Sequence, residues 1–189
     1  MKIQKINLDG PLIMTPEVFE DNRGFFFESF NKEKFRHLTG VNQNFVQDNH
    51  SFSKKNVLRG LHFQVFPKSQ GKLVRVLRGS VFDVVVDLRK KSKTFGNWFG
   101  IKLSEKNKRQ IWIPKYFAHG FLSLTKNVHL SYKTTDYYSP KHERCLLWND
   151  KSLAIKWPIK GEINMSKKDL KGISLNKFIQ SDYFEENYK

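Results

Sequence analysis

From residue 45 to residue 138 the chain runs as short β-patterned segments separated by turns, with no stretch long and periodic enough for a crossover helix. The segments fall at 45–52, 57–66, 71–78, 80–88, 97–103, 109–113, 119–124 and 128–138. The clearest is Val81-Phe82-Asp83-Val84-Val85-Val86-Asp87-Leu88, which is β-branched, alternates, and is entered through Arg78-Gly79. Parallel strands need long crossovers, and none is available. The expectation is therefore a mainly β fold, an antiparallel sandwich or jelly roll with a few short helices.

Upstream, Leu12 to Phe19 and Phe25 to Phe30 read as the two arms of a hairpin turning at Asp21-Asn22-Arg23-Gly24. Asn31 is placed to cap a helix over 32–38, which Gly40 stops. Phe19, Phe25, Phe26, Phe27 and Phe30 exceed what one strand face can bury in its own subunit. Alternation puts Phe26 on the face opposite Phe25 and Phe27, so one set is free to meet a partner subunit or a flat ligand. The tail from Lys160 is polar with scattered apolar residues and is expected to wrap the sheet. No repeat, linker or second domain interrupts residues 1–189, which read as one domain.

The net charge of +16 raises the question of nucleic acid. Lysine accounts for most of the 34 basic residues, they are spread along the whole length, and the longest run is Arg89-Lys90-Lys91. Base readout favours arginine and basic tails come as blocks, so the composition argues for a solvated surface and an anionic small substrate. The single cysteine, Cys145, cannot form an internal bridge. Asp9, Pro11, Glu17 and Glu20 interrupt any signal-peptide core, and no apolar run approaches the roughly 20 residues of a membrane span. Neither nucleic acid nor membrane is expected as a partner, and the expected compartment is the cytoplasm.

Chemistry concentrates at Arg59-Gly60-Leu61-His62-Phe63-Gln64, a strand carrying a histidine among apolar neighbours, with Lys72 and Arg75 just beyond a turn. Such a histidine is more often a satisfied core residue, but it is also a base able to work near neutral pH. A cupin-type metal site needs a His-x-His pair, and here His62 is followed by Gln64; Pro114 to Gly120 supplies the second half, with His119, on its own. No metal and no organic cofactor is expected. No nucleophile elbow, phosphate loop or dinucleotide fingerprint is present. The remaining chemistry is acid–base: His62 as base with a carboxylate to orient it, Tyr132 or Tyr138 as a second proton donor, and Lys72 or Arg59 at a developing oxyanion. Proton removal next to a ketone needs this set.

Read in order, several motifs resemble one family. They are Phe19-Glu20-Asp21-Asn22-Arg23-Gly24-Phe25-Phe26-Phe27-Glu28-Ser29-Phe30, Arg59 to Gln64, Gln70-Gly71-Lys72-Leu73-Val74-Arg75, Trp112-Ile113-Pro114 with Phe117 to Phe121, Tyr132-Lys133 with Asp136-Tyr137-Tyr138, Trp148-Asn149-Asp150, Ile155 to Pro158, and Ser166 to Asp169. Together they are similar to the dTDP-4-dehydrorhamnose 3,5-epimerases from about Leu12 to Asp169.

The resemblance implies a cupin-like jelly roll (a double-stranded β-helix) and a homodimer whose N-terminal strands, about 11–30, cross to the partner. It also implies cofactor-free inversion of dTDP-4-dehydro-6-deoxy-D-glucose at C3 and C5, giving dTDP-4-dehydro-L-rhamnose. Catalysis falls by the same resemblance to His62 as base, Asp169 as its carboxylate, Tyr132 as acid on the other face, and Lys72 near the C4 oxygen with Arg59. Arg23 matches a diphosphate contact, and Phe19, Phe26, Glu28, Gln47, Asn49, His119 and Tyr138 match pocket positions. A C3-only epimerase on the same framework, with the difference near Tyr138, and a non-catalytic sugar-nucleotide-binding jelly roll are the alternatives. One conflict stands: strict alternation puts Arg59 and His62 on opposite strand faces, unless Gly60 introduces a bulge or Arg59 lies at the strand end.

Overall fold

The computed structural model describes residues 1–183, in thirteen strands and two short helices. In chain order the strands are β1 (Lys2–Lys5), β2 (Leu12–Thr15), β3 (Phe19–Asp21), β4 (Gly24–Phe26), β5 (Gln47–Ser53), β6 (Leu58–Gln64), β7 (Lys72–Arg78), β8 (Ser80–Asp87), β9 (Trp98–Ser104), β10 (Gln110–Ile113), β11 (Phe117–Ser123), β12 (Val128–Thr134) and β13 (Glu143–Cys145). The helices are α1 (Lys32–Thr39) and α2 (Leu175–Ile179), with a 3₁₀ turn at Asp169–Lys171.

Two antiparallel sheets form the body. One has the order β1-β2-β10-β7-β12-β5, the other β13-β6-β11-β8-β9. Chain-distant strands are neighbours in both, and the result is the antiparallel jelly roll expected from the strand spacing. Alternation supplies the core between the sheets. Val74 and Val76 of β7, Ile111 and Ile113 of β10 and Leu130 of β12 meet Val81 and Val85 of β8 and Phe117 and Phe121 of β11. Leu61 and Phe63 of β6 point the other way, into a second cluster with Val84, Val86, Leu146, Leu175 and Phe178. α2 therefore covers the outside of the five-stranded sheet; the segment expected to wrap, 160–189, runs past the described residues. On the outer face of the six-stranded sheet, Phe35 of α1 packs with Met14, Leu73 and Trp112.

α1 forms as its caps dictate. The Asn31 side chain accepts from the Lys34 amide, and Gly40 closes the helix at φ 70° with its N–H on the Arg36 carbonyl. The N-terminal hairpin is smaller than the sequence suggests. β3 pairs with β4 alone (Phe19 opposite Phe26, Glu20 opposite Phe25), whereas Leu12–Thr15 pairs with β1 and β10 in the large sheet. A three-residue arm buries too little to hold a longer pairing, and the apolar Ile13-Met14 pair is more stable in the core. β12 ends at Thr134 rather than near 138, because Thr135 and Asp136 turn back onto Gly71 and Gln70.

Candidate active site

Along several inward-facing columns the side chains change from apolar to polar toward one end of the sandwich. On β12 the order is Val128, Leu130, Tyr132, and on β7 it is Val76, Val74, Lys72; β11 differs, placing His119 between the core residues Phe121 and Phe117. The polar ends surround a cavity of about 370 Å³ lined by Gln47, Asn49, Arg59, His62, Lys72, His119, Tyr132 and Tyr138, with Ser51, Gln64, Gln70 and Glu143 among its other walls.

His62 and Arg59 both reach this cavity because β6 carries an extra residue against β11. His62 pairs with His119, but Arg59 pairs with Phe121, so three steps on one strand match two on the other. Gly60 sits in that interval at φ 110°, and a Cβ there would lie 2.6 Å from the His119 carbonyl oxygen.

The His62 ring meets Asp169 at 2.6 Å through Nε2, bringing residues 107 apart into contact. Asp169 is buried to 4 % exposure at the start of the 3₁₀ turn, where its N–H donates to the Ser166 hydroxyl at 3.1 Å. Burial alone would raise its pKa, but the His62 hydrogen bond and charge, with Ser166 and Lys168, hold it below the usual carboxylate value. Among the described residues no hydrogen bond engages Nδ1 of His62, so that nitrogen is free to take a proton.

Tyr132 approaches from the opposite sheet. Burial and then the Glu143 charge raise its phenol pKa, outweighing Arg59, so it stays protonated and able to donate at neutral pH. Lys72 is buried, with Nζ 3.3 Å from the His62 carbonyl oxygen; burial lowers its pKa to about 8 against the opposing pull of Glu143 and Asp83. Arg59 is steadied by bonds to the Ser53 hydroxyl at 3.1 Å and the Phe52 carbonyl at 3.0 Å. His119 bonds through Nε2 to buried Asp83 at 2.9 Å.

Gln64, where a metal-binding cupin would place a second histidine, spends its amide on the backbone. It donates to the Lys68 and Tyr137 carbonyls and accepts from the Ser139 N–H at 2.7 Å, fixing the loop that carries Tyr138. Gln47 bonds the Tyr138 N–H at 2.9 Å and Asn49 at 2.8 Å.

Four predicted pocket residues are not brought to this cavity within one chain. Phe19 and Phe26 are 58 % and 70 % exposed on the β3–β4 hairpin. Arg23 pairs with Asp21 on the same hairpin, and Glu28 bonds Lys34 and Asn31. Glu143, outside every motif read from the sequence, and Lys168, inside Ser166 to Asp169 but given no role there, pair with each other at the cavity wall. Glu143 also accepts from the Tyr138 hydroxyl at 2.6 Å. Their signal was adjacency: Lys168 precedes Asp169, and Glu143 lies on β13 opposite Gln64 of β6.

The model of the dTDP-4-dehydrorhamnose 3,5-epimerase family matches residues 5–177. The dTDP-4-dehydrorhamnose 3,5-epimerase of Shigella flexneri is 52 % identical over 184 residues, 97 % of this chain and 99 % of that protein. The Salmonella typhimurium protein of the same name is 54 % identical over 169 residues, covering 89 % and 92 %. Among solved structures, a dTDP-6-deoxy-D-glucose-3,5-epimerase from Legionella pneumophila in complex with dTDP-4-keto-L-rhamnose superposes with a TM-score of 0.91 at 48 % identity, covering 93 % of each chain.

Proposed function

The chain belongs to the dTDP-4-dehydrorhamnose 3,5-epimerase family, and from that premise we propose how its cavity performs the reaction. The enzyme is an isomerase of dTDP-rhamnose biosynthesis that inverts C3 and C5 of dTDP-4-dehydro-6-deoxy-D-glucose. Both carbons flank the C4 ketone, so each inversion is removal of a proton to give an enolate, followed by return of a proton on the opposite face.

His62 takes the proton on Nδ1, and Asp169 on Nε2 holds the tautomer and stabilises the imidazolium. Tyr132, on the facing sheet, returns a proton to the other side of the ring. Lys72 and Arg59 balance the charge that develops on the C4 oxygen. The observation that carries this reading is the 2.6 Å His62–Asp169 contact at the wall of a cavity whose opposite wall bears a protonated phenol.

Gln47, Asn49, His119 and Tyr138 line the sugar and nucleotide ends of the pocket. Arg23, Phe19, Phe26 and Glu28 complete it from a second copy of the chain, in a homodimer that exchanges the N-terminal strands. The exposed Phe19, Phe25 and Phe26 support this, since an aromatic patch of that size favours a covering surface. The cytoplasm is the proposed compartment, consistent with the lone cysteine, and no helix among the described residues is long and apolar enough to cross a membrane.

Incubation with dTDP-4-dehydro-6-deoxyglucose in heavy water is the test. Deuterium at both C3 and C5 is expected; label at C3 alone would select a C3-only epimerase, and no label would leave a binding protein.

A further inference from the structure

β13 places the chain's single cysteine, Cys145, directly across from His62 in the β6 register, and Asp169 closes on the same imidazole from the 3₁₀ turn. The donor atoms of His62, Cys145 and Asp169 all lie within 4.8 Å of one another. A tetrahedral zinc ion, with donors roughly 2.0–2.3 Å away, holds them about 3.3–3.8 Å apart, so the widest pair closes by about 1 Å and the ion takes the place of the His62–Asp169 hydrogen bond, which opens. Three protein donors of this kind leave a fourth position for water.

We propose that these three residues form an inhibitory site for a thiophilic divalent cation of the zinc type, one that engages the His62–Asp169 pair and so competes with catalysis. The cation is an inhibitor here and not a cofactor. On binding, the Cys145 thiol, which donates to the Leu146 carbonyl at 3.4 Å, loses its proton to solvent and the sulfur takes the metal. His62 carries its remaining proton on Nδ1 and gives Nε2 to the metal, so one proton is released per ion. The nearby Lys168 charge opposes the cation, while Glu143 favours it. Because the thiol gives up its proton on binding, affinity rises with pH.

Inhibition rests on the reading of His62 as the base; occupancy of the site does not, and the two are measured separately. Cobalt(II) added to the purified chain is expected to bind once per chain with a near-ultraviolet thiolate-to-metal charge-transfer band, absent from Cys145→Ser and Cys145→Ala. Zinc is expected to inhibit epimerisation, reversibly with EDTA. Either Cys145 variant should keep wild-type turnover without metal and raise the half-inhibiting zinc concentration at least about tenfold. Equal zinc sensitivity in the variants would overturn the proposal. So would cobalt binding with no thiolate band, for instance at the exposed His50–His129 pair, whose rings meet at 2.9 Å. A thiolate band without inhibition would keep the cation site and tell against His62 as the base.

Discussion

Arg59 and His62, three residues apart on β6, face the same cavity because the strand takes one extra residue against β11 between them. The bulge depends on Gly60. Its φ of 110° is unfavourable for any residue with a Cβ, and such a Cβ would lie 2.6 Å from the His119 carbonyl oxygen and 2.7 Å from the Gly120 Cα. Gly60→Ala should therefore cost about 1–3 kcal/mol in backbone strain, with a comparable amount for overpacking. Thermal unfolding should show the loss, and turnover should fall further than stability because Arg59 and His62 move together. A variant with wild-type turnover and melting would mean that the bulge is not needed.

Asp169→Asn tests the pair directly. The amide keeps the shape but cannot balance an imidazolium, and positioned acid–base catalysis is worth about 10²–10⁴-fold. Turnover should drop by that order, and the thermal midpoint at neutral pH should fall by the smaller amount that the ionised carboxylate contributes. Because the folded pKa of Asp169 lies below its unfolded value, its contribution to stability is present above about pH 4 and is lost as pH falls through the lower folded value. The asparagine variant should lack that part of the acid-side decline, which denaturant titrations at several pH values would reveal.

Lys72 should set an alkaline limb. Its ammonium is cationic below about pH 8 and neutral above, so stabilisation of the C4 oxygen fades as pH rises through that value. kcat/KM should fall with a midpoint near pH 8, and Lys72→Arg, always charged, should move that limb upward even if its maximum is lower. A pH–rate profile unchanged in Lys72→Arg would remove Lys72 from this role.

Most of the sheet could be read from the chain, since β5 to β12 are short β-patterned segments separated by turns, whether alternating like β5 or buried throughout like β10 and β11. β1 and β13 could not: Lys2–Lys5 is polar and sits on a sheet edge, and Glu143–Cys145 is three residues long, so both are held by their partners rather than by their own pattern. The site divides in the same way. His62 and Lys72 lie in adjacent motifs, but contact between His62 and Asp169 spans 107 residues and no local rule predicts it. The side on which Arg59 emerges was undecided because a bulge is a property of two strands, set by the Gly60–Gly120 approach. Glu143 was missed because a lone glutamate opening a three-residue strand shows no periodicity; its role is visible only beside Tyr138 and Lys168.

Tyr132→Phe separates the two halves of inversion. Removal of a proton by His62 should continue, so solvent deuterium should still enter the substrate, while product formation falls by about 10²-fold or more for want of a donor on the far face. Loss of exchange and of product together would assign Tyr132 to both steps and contradict the division of labour.

Two defective variants should restore each other if the hairpin works in the partner's cavity. In a chain with His62→Ala the cavity is dead but the hairpin is sound; in one with Arg23→Ala and Phe26→Ala the reverse holds. A heterodimer with exchanged hairpins has one site with both defects and one with neither. Equal co-expression gives half heterodimers, so about a quarter of wild-type activity should return from two nearly inactive parents. If each hairpin instead served its own cavity, every site in the mixture would keep one defect and activity would stay at the average of the parents. The assay is most sensitive at substrate concentrations below KM, where the loss of the Arg23 charge and the Phe26 ring weighs most on binding.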